Sequence, residues 1–120
     1  MSASDVAYAA GFFDGEGSIS VSLMKDRYLR IEVACSQKYS PALRWMQRTF
    51  GGNVYGEEGR GCQWKLHGED GTKFLHLVSP FLIVKAREAQ LVLHMWNIRS
   101  DTEELRRLVD EYRHRRDAPS

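Results

Sequence analysis

No apolar run in this chain approaches the roughly 18 residues that a membrane-crossing helix needs. The opening Met1-Ser2-Ala3-Ser4-Asp5 has no basic region ahead of an apolar stretch, so no secretory signal is expected. The chain therefore reads as intracellular, placed in the cytoplasm or in an organelle of the encoding genome. Cysteine is scarce. Cys35 and Cys62 make neither a disulfide framework nor a zinc spacing. Both lie in strand-like segments and read as reduced core residues. The histidines His67, His76, His94 and His114 also lack metal-ligand spacing. A dominant charge is missing too: the formal net charge is +1, with 11 basic and 10 acidic residues over 1–98 and six of each over 99–120. That balance neither announces nor excludes nucleic acid, so any phosphate-binding surface must arise from how charges are placed in space. With no repeats, low-complexity segments or clear linker, the 120 residues are expected to form one domain over 1–120.

What the chain does have is concentrated in one stretch, Ala9-Ala10-Gly11-Phe12-Phe13-Asp14-Gly15-Glu16-Gly17-Ser18-Ile19. Small and apolar residues run into two carboxylates set among glycines. Ala10, Gly11 and Gly15 are too small to hold a neighbouring backbone away, and Gly11 and Gly15 have the spacing of closely approaching helices. Asp14 and Glu16 stand where the segment stops being helical. Two packed helices of this kind bring acidic groups together, where they can hold a divalent metal.

Ser4 or Ser2 can cap a helix over about Asp5 to Phe13, which Gly15 and Gly17 end. From Ser18 to Met24 the pattern alternates, and it does so again from Tyr28 to Ser36, with Lys25-Asp26-Arg27 as the turn between. Pro41 starts a helix to about Phe50, closed by Gly51-Gly52. Asn53 to Tyr55 and Cys62 to His67 form a second hairpin around the loop Gly56–Gly61. Thr72 to Val78 is a short helix. Ala86 to Ile98 is a longer one with Leu91, Val92, Met95 and Trp96 on its apolar side. Ser100-Asp101-Thr102-Glu103 suits a capping box for a last helix, about 101–116, which packs through Leu105, Leu108, Val109 and Tyr112. The fold class is α+β: helix, hairpin, helix, hairpin, helices, with a four-stranded antiparallel sheet covered by helices on one face.

The outward side chains of that sheet are Ser20, Ser22, Met24, Tyr28, Arg30, Glu32, Asn53, Tyr55, Gln63, Lys65 and His67. A solvated sheet face has the same composition. A twisted antiparallel sheet can also lie in a DNA major groove, where Arg reads guanine, Gln or Asn reads adenine and Glu accepts from cytosine.

Here the chain resembles the LAGLIDADG homing endonucleases, in their single-motif, homodimeric branch. Ala9 to Gly17 matches the nine-residue signature as Ala-Ala-Gly-Phe-Phe-Asp-Gly-Glu-Gly, followed by Ser18-Ile19. Ser36-Gln37-Lys38 matches a second block. Pro80-Phe81-Leu82-Ile83-Val84-Lys85 with Ala89-Gln90-Leu91-Val92-Leu93 matches a third. The resemblance covers about residues 5–98 and implies a role for each matching position. The first helix pairs with its twin through Ala7, Ala10, Gly11 and Asp14. Glu16 and the carbonyl of Gly15 become metal ligands, Asp14 shapes the helix end, and Gln37 and Lys85 order solvent and phosphate at the cleavage site, making Glu16, Gln37 and Lys85 the catalytic set. Lys38 joins the sheet residues as a DNA contact. Taken one at a time, Glu16 reads equally as an exposed turn residue, Gln37 as a strand end and Lys85 as a surface lysine; their joint occurrence carries the weight.

The implied activity is hydrolysis of both strands of a near-palindromic site by a homodimer, leaving 3′ extensions. The implied cofactor is Mg2+, with Mn2+ as a substitute and Ca2+ binding without cleavage. Double-stranded DNA and a second copy of the chain are the partners; no membrane and no small-molecule cofactor is expected. The chain departs from the family pattern in two places. Ala9 stands where Leu is common, and Pro41 falls where relatives often carry a basic residue near the active site, which leaves Arg44, Arg48 or Lys38 as candidates. Two rivals stay open at this level: a relative that binds nucleic acid without cutting, such as an intron maturase or a transcription regulator, and an interaction domain with no nucleic-acid partner.

Overall fold

The computed structural model describes residues 1–117, with side chains as far as His114. Helix α1 spans Ala3–Glu16. Of the two serines able to start it, Ser2 is the cap. Its hydroxyl accepts from the Asp5 N–H at 3.1 Å, and the Asp5 carboxylate accepts from the Ser2 N–H at 3.2 Å. The helix does not stop at Phe13 as the glycines suggested; it runs through Gly15, which helical backbone tolerates at a cost of about 1 kcal/mol relative to alanine. Its end is set at Gly17, where the chain turns extended (φ −93°) and donates to the Phe13 carbonyl. A Cβ at Gly17 would lie 2.2 Å from the Phe13 ring, so this position requires glycine for close approach.

Strands β1 (Gly17–Met24) and β2 (Tyr28–Gln37) pair antiparallel from Gly17↔Cys35 to Met24↔Tyr28. The turn between them holds Lys25 and Asp26 at φ 54° and 60°. These left-handed conformations match the twist of a tight hairpin. Helix α2 (Pro41–Phe50) has the bounds the sequence predicts. Strands β3 (Asn53–Glu57) and β4 (Gly61–His67) complete a four-stranded sheet in the order β1-β2-β4-β3, antiparallel throughout. Both strands of this second hairpin reach further into the Gly56–Gly61 loop than the alternation suggested.

Helix α3 (Gly68–Val78) starts four residues earlier than Thr72. Gly68-Glu69-Asp70-Gly71 looks like loop by composition, but the two carboxylates suit the first turn of a helix, and Gly71 packs in the core. A 3₁₀ turn at Ser79–Phe81 leads by Leu82 to Lys85 into α4 (Ala86–Asn97), then α5 (Thr102–Asp117). In α4 it is Ala89, Val92, Leu93 and Met95 that are buried; Leu91 and Trp96 lie at the margin. For α5 the expected Ser100–Glu103 box is displaced by one residue: Asp101 is the cap, accepting from the Glu104 N–H at 3.2 Å.

The helices cover one face of the sheet and bury the inward set Ile19, Val21, Ile31, Val33, Cys35, Cys62, Trp64 and Leu66. Phe74 of α3 is the hub of this core. Its ring meets Phe13, Phe50 and Trp64 edge-on at 5.3, 5.0 and 5.1 Å. Such pairs add about 0.5–1.5 kcal/mol each beyond the area they bury. The Trp64 indole N–H donates to the Gly51 carbonyl at 2.8 Å, which ties the end of α2 to β4. Leu105, Leu108, Val109 and Tyr112 anchor α5 as expected, with the Tyr112 hydroxyl donating to the Ile19 carbonyl at 2.9 Å.

Candidate active site and nucleic-acid face

The last turn of α1 carries two carboxylates with different surroundings. Asp14 accepts from the backbone N–H groups of Ile83 (2.7 Å), Val84 (3.2 Å) and Lys85 (3.0 Å). Burial alone would raise its pKa. The three N–H groups and the nearby Lys85 charge outweigh burial and hold the carboxyl below its ordinary 3.8. The Lys85 ammonium in turn donates to the Asp14 carbonyl at 2.8 Å, one of the carbonyls a helix end leaves unpaired. Asp14 therefore joins the end of α1 to the segment before α4 and fixes where Lys85 begins.

Glu16, two residues on, is exposed and makes no hydrogen bond or ion pair among the described residues. It looks into an open cleft between the end of β2 and the β3–β4 hairpin, together with Ser36, Gln37 and Lys38 on one side and Tyr55, Arg60 and Gln63 on the other. Lys85 lies behind this cleft, half-buried, with its ammonium 6.0 Å from the Phe13 ring centre. Cys35 lies beneath. Burial pushes its thiol up to about 12, with the Lys85 ammonium opposing and the Glu16 carboxylate adding to the rise. Cys35 and Cys62 are both free and buried, as their strand positions suggested.

This cleft can accept a hard cation. The carbonyl of Gly15 falls among the last four of α1, which have no helical partner, and the negative end of the helix dipole adds to the charge of Glu16. No group of three or more His, Cys, Asp or Glu side chains gathers anywhere among the described residues. One chain thus offers one free carboxylate and backbone oxygens. That donor set fits Mg2+, which keeps waters and is held by one or two carboxylates plus substrate phosphates.

The outward face of the sheet continues from the cleft. Ser20 pairs with Glu32, Ser22 with Arg30, Met24 with Tyr28, Asn53 with Lys65 and Tyr55 with Gln63. These side chains are partly organised already. Glu32 accepts from Lys65 Nζ and faces His67 Nε2, each at 3.2 Å. Burial would raise its pKa, but the bonds and charges of Lys65 and His67 hold it below its usual 4.5. Glu32, expected to accept from cytosine, has one oxygen, Oε1, engaged by both neighbours. Gln63 donates to Ser36 Oγ at 3.2 Å, and the Lys65 ammonium lies 5.9 Å from the Tyr55 ring centre. Ala34, outward by alternation, is buried.

The model of the LAGLIDADG endonuclease family matches residues 9–85. The chain belongs to this family. Solved structures agree with the fold. The homing endonuclease I-CvuI, in complex with its target in the presence of calcium, is 22% identical with a TM-score of 0.76, covering 96% of this chain and 83% of that one. The archaeal intron-encoded homing endonuclease I-Vdi141I, complexed with DNA, is 20% identical with a TM-score of 0.72, covering 91% and 82%. No curated protein sequence matches significantly.

In this LAGLIDADG chain the face of α1 turned away from the core consists of Ala7, Tyr8, Gly11 and Gly15, all exposed. At Gly11 and Gly15 an added Cβ would meet nothing within 4 Å of the chain. Ala10, expected on this face, is instead fully buried in the chain's own core beside Ala9 and Phe13, one helical position round from Gly11. Asp14, expected there too, is held by its own chain's Ile83–Lys85 backbone. Sequence reasoning missed Ile83 and Val84, which are 86% and 76% exposed close to the end of α1. Alternation already turned Ser36 outward, yet only the cleft brings it to Glu16. Arg60 carried no signal beyond a basic residue between two glycines. Of the basic candidates near Pro41, Lys38 lines the cleft; Arg44 and Arg48 do not.

Proposed function

We propose that this chain is one subunit of a homodimeric, divalent-metal-dependent DNA endonuclease that cuts a near-palindromic site. The observation that carries the reading is the end of α1: a partnerless Glu16 opening on Gln37 and Lys38, beside a helix face whose glycines the chain itself does not need. Helical glycine costs about 1 kcal/mol relative to alanine. Two such residues four apart are accounted for by a second helix lying against α1. The twin of α1 would bring a second Glu16 and a second Gly15 carbonyl to the same place, completing a donor set that one chain leaves short. Ala7, Tyr8, Ile83 and Val84 extend the apolar contact.

Glu16 and the Gly15 carbonyl of each subunit would hold Mg2+ against the phosphates to be cut. A metal there supplies Lewis acidity and lowers the pKa of the attacking water. Gln37 orients that water through its amide. Lys85, fixed by the Asp14 carbonyl, places positive charge next to the phosphate as negative charge builds on it. Lys38 and the outward sheet residues, above all Arg30, Asn53, Gln63, Lys65 and His67, lie along the major groove on either side. Two-fold symmetry makes the target near-palindromic and the two cuts symmetric, with the 3′ extensions the family resemblance implies. The free thiols of Cys35 and Cys62 fit a reducing intracellular setting.

The test is selection on a randomised duplex library with the full chain in Mg2+ and in Ca2+, followed by sequencing of the ends. Recovery of one near-palindromic site, cut in Mg2+ and bound uncut in Ca2+, is the expected result. Enrichment of bound, uncut duplex under both metals would assign the chain to the family's non-cleaving members.

A further inference from the structure

The turn between β3 and β4 is an exposed three-residue connection, Glu58-Gly59-Arg60, of a kind that ordinarily has nothing to hold it. Here it is fastened to the segment that follows Gln37. The Glu58 carboxylate accepts from the Ser40 N–H at 3.1 and 3.2 Å and from the Ser40 hydroxyl, at the N-terminus of α2. Gly59, at φ +84°, donates its N–H to the Lys38 carbonyl at 3.0 Å, and the Cys62 thiol reaches the same carbonyl at 3.9 Å. Ser40 is buried although it lies next to exposed Tyr39 and Pro41. A clasp this dense on a loop tip has a consequence for the next residue. Arg60 is carried to the rim of the cleft that holds Glu16, Gln37 and Lys38.

Among the described residues the Arg60 guanidinium is held by no side-chain hydrogen bond. Its one ion pair among them, with Glu57, is long at 3.9 Å, and the two side chains are 81% and 72% exposed. Pairs of this kind hold a side chain weakly. A planar guanidinium that lines the same open cleft as Glu16 is suited to the bidentate grip of a phosphate diester. Lys38 and Arg60 are the cations that line this cleft.

We infer that Arg60 contacts the DNA phosphate next to the bond being cut, and that Glu58 is the positioning residue that brings it there by capping α2. Arg60 thereby supplies, from the β3–β4 turn, the positive charge that Pro41 removes from the start of α2. This rests on the nuclease reading above, and the experiment separates the two.

The duplex is the one the full chain itself enriches from a randomised library. Its affinity is measured in Ca2+ over a salt series, and its single-turnover cleavage in Mg2+, for the unaltered chain and for Arg60→Ala, Arg60→Lys, Glu58→Ala and Glu58→Gln. For Arg60→Ala the slope of log affinity against log salt falls by about one phosphate contact per chain. Its cleavage slows by about 100-fold, the scale of losing one transition-state donor, and added guanidinium restores part of the rate while sodium at equal ionic strength does not. Arg60→Lys recovers part of the rate without guanidinium. Glu58→Ala slows cleavage with little loss of binding, and Glu58→Gln, which keeps an acceptor for Ser40, slows it less. An unchanged salt slope together with an unchanged rate for Arg60→Ala would overturn the inference while leaving the nuclease intact. Binding by the unaltered chain with no cleavage would remove the nuclease reading, and the salt slope would still decide whether Arg60 touches phosphate.

Discussion

The two sides of the last turn of α1 contrast. On one side, Asp14 and Gly17 are accounted for by the chain itself. Asp14 gathers three backbone N–H groups from Ile83 to Lys85, and Gly17 admits the Phe13 ring where a Cβ would lie 2.2 Å away. On the other side, nothing among the described residues requires Gly15 and Glu16: a Cβ at Gly15 meets open space, and Glu16 has no partner there. Of these four consecutive residues, the outer two thus serve the chain and the inner two face away from it. The helical period imposes this, because neighbours in sequence point about 100° apart around the axis. Within this short motif, acid and glycine recur with opposite meanings, and only surroundings tell them apart.

Five substitutions and a pH series test that contrast. Glu16→Gln should abolish Mg2+-dependent cleavage while changing unfolding free energy by less than about 0.5 kcal/mol, as at a surface position. A stability loss in denaturant titration as large as that of an Asp14 variant would break the contrast by making Glu16 structural. Gly17→Ala should destabilise by about 3 kcal/mol through overpacking against Phe13. Gly11→Ala should instead stabilise the isolated chain by up to about 1 kcal/mol through helix propensity, and weaken self-association in sedimentation. A dimer unchanged by Gly11→Leu would remove the α1 face as the contact.

Asp14→Asn should cost about 2 kcal/mol, since one amide oxygen cannot serve three N–H groups as a carboxylate does. It should also slow cleavage by loosening Lys85. The smallest effect is in pH. The Asp14 carboxyl is held below 3.8 in the folded chain, so its stabilisation is complete above that value and is lost as pH falls through the lower, folded-state value. Denaturation below about pH 4 should therefore be steeper for the unaltered chain than for Asp14→Asn, and equal slopes would mean that the three N–H contacts contribute nothing.

Much of the fold was legible along the chain. The alternation in 18–24 and 28–36 marked both strands and their dry face, and Pro41 with Gly51 marked the ends of α2. The errors fell where two local signals compete. Ser2 and Ser4 could each cap α1. Ser100 and Asp101 could each cap α5, and the carboxylate at Asp101 prevailed. Gly15 and Gly68–Gly71 looked like breakers but lie in helices, because tertiary packing overrides propensity differences of about 1 kcal/mol. In the site, Glu16 and Gln37 of the implied catalytic set line one cleft with Lys38, while Lys85, the third member, is not among its lining residues. Arg60 did not announce itself, because its approach to the cleft depends on a Glu58–Ser40 contact 18 residues apart in sequence.

By itself the sequence determined the element order, the inward and outward residues of the sheet and the family, because these follow from period, capping chemistry and a dense local motif. The tertiary structure alone decided that Asp14 ties down the segment before α4 while Glu16 stays exposed at the cleft, that Ala10 faces inward and Gly11 outward, and that Glu32 is engaged by Lys65 and His67. Each of these depends on which distant backbone or side chain arrives next to the residue, and a linear pattern carries no record of that.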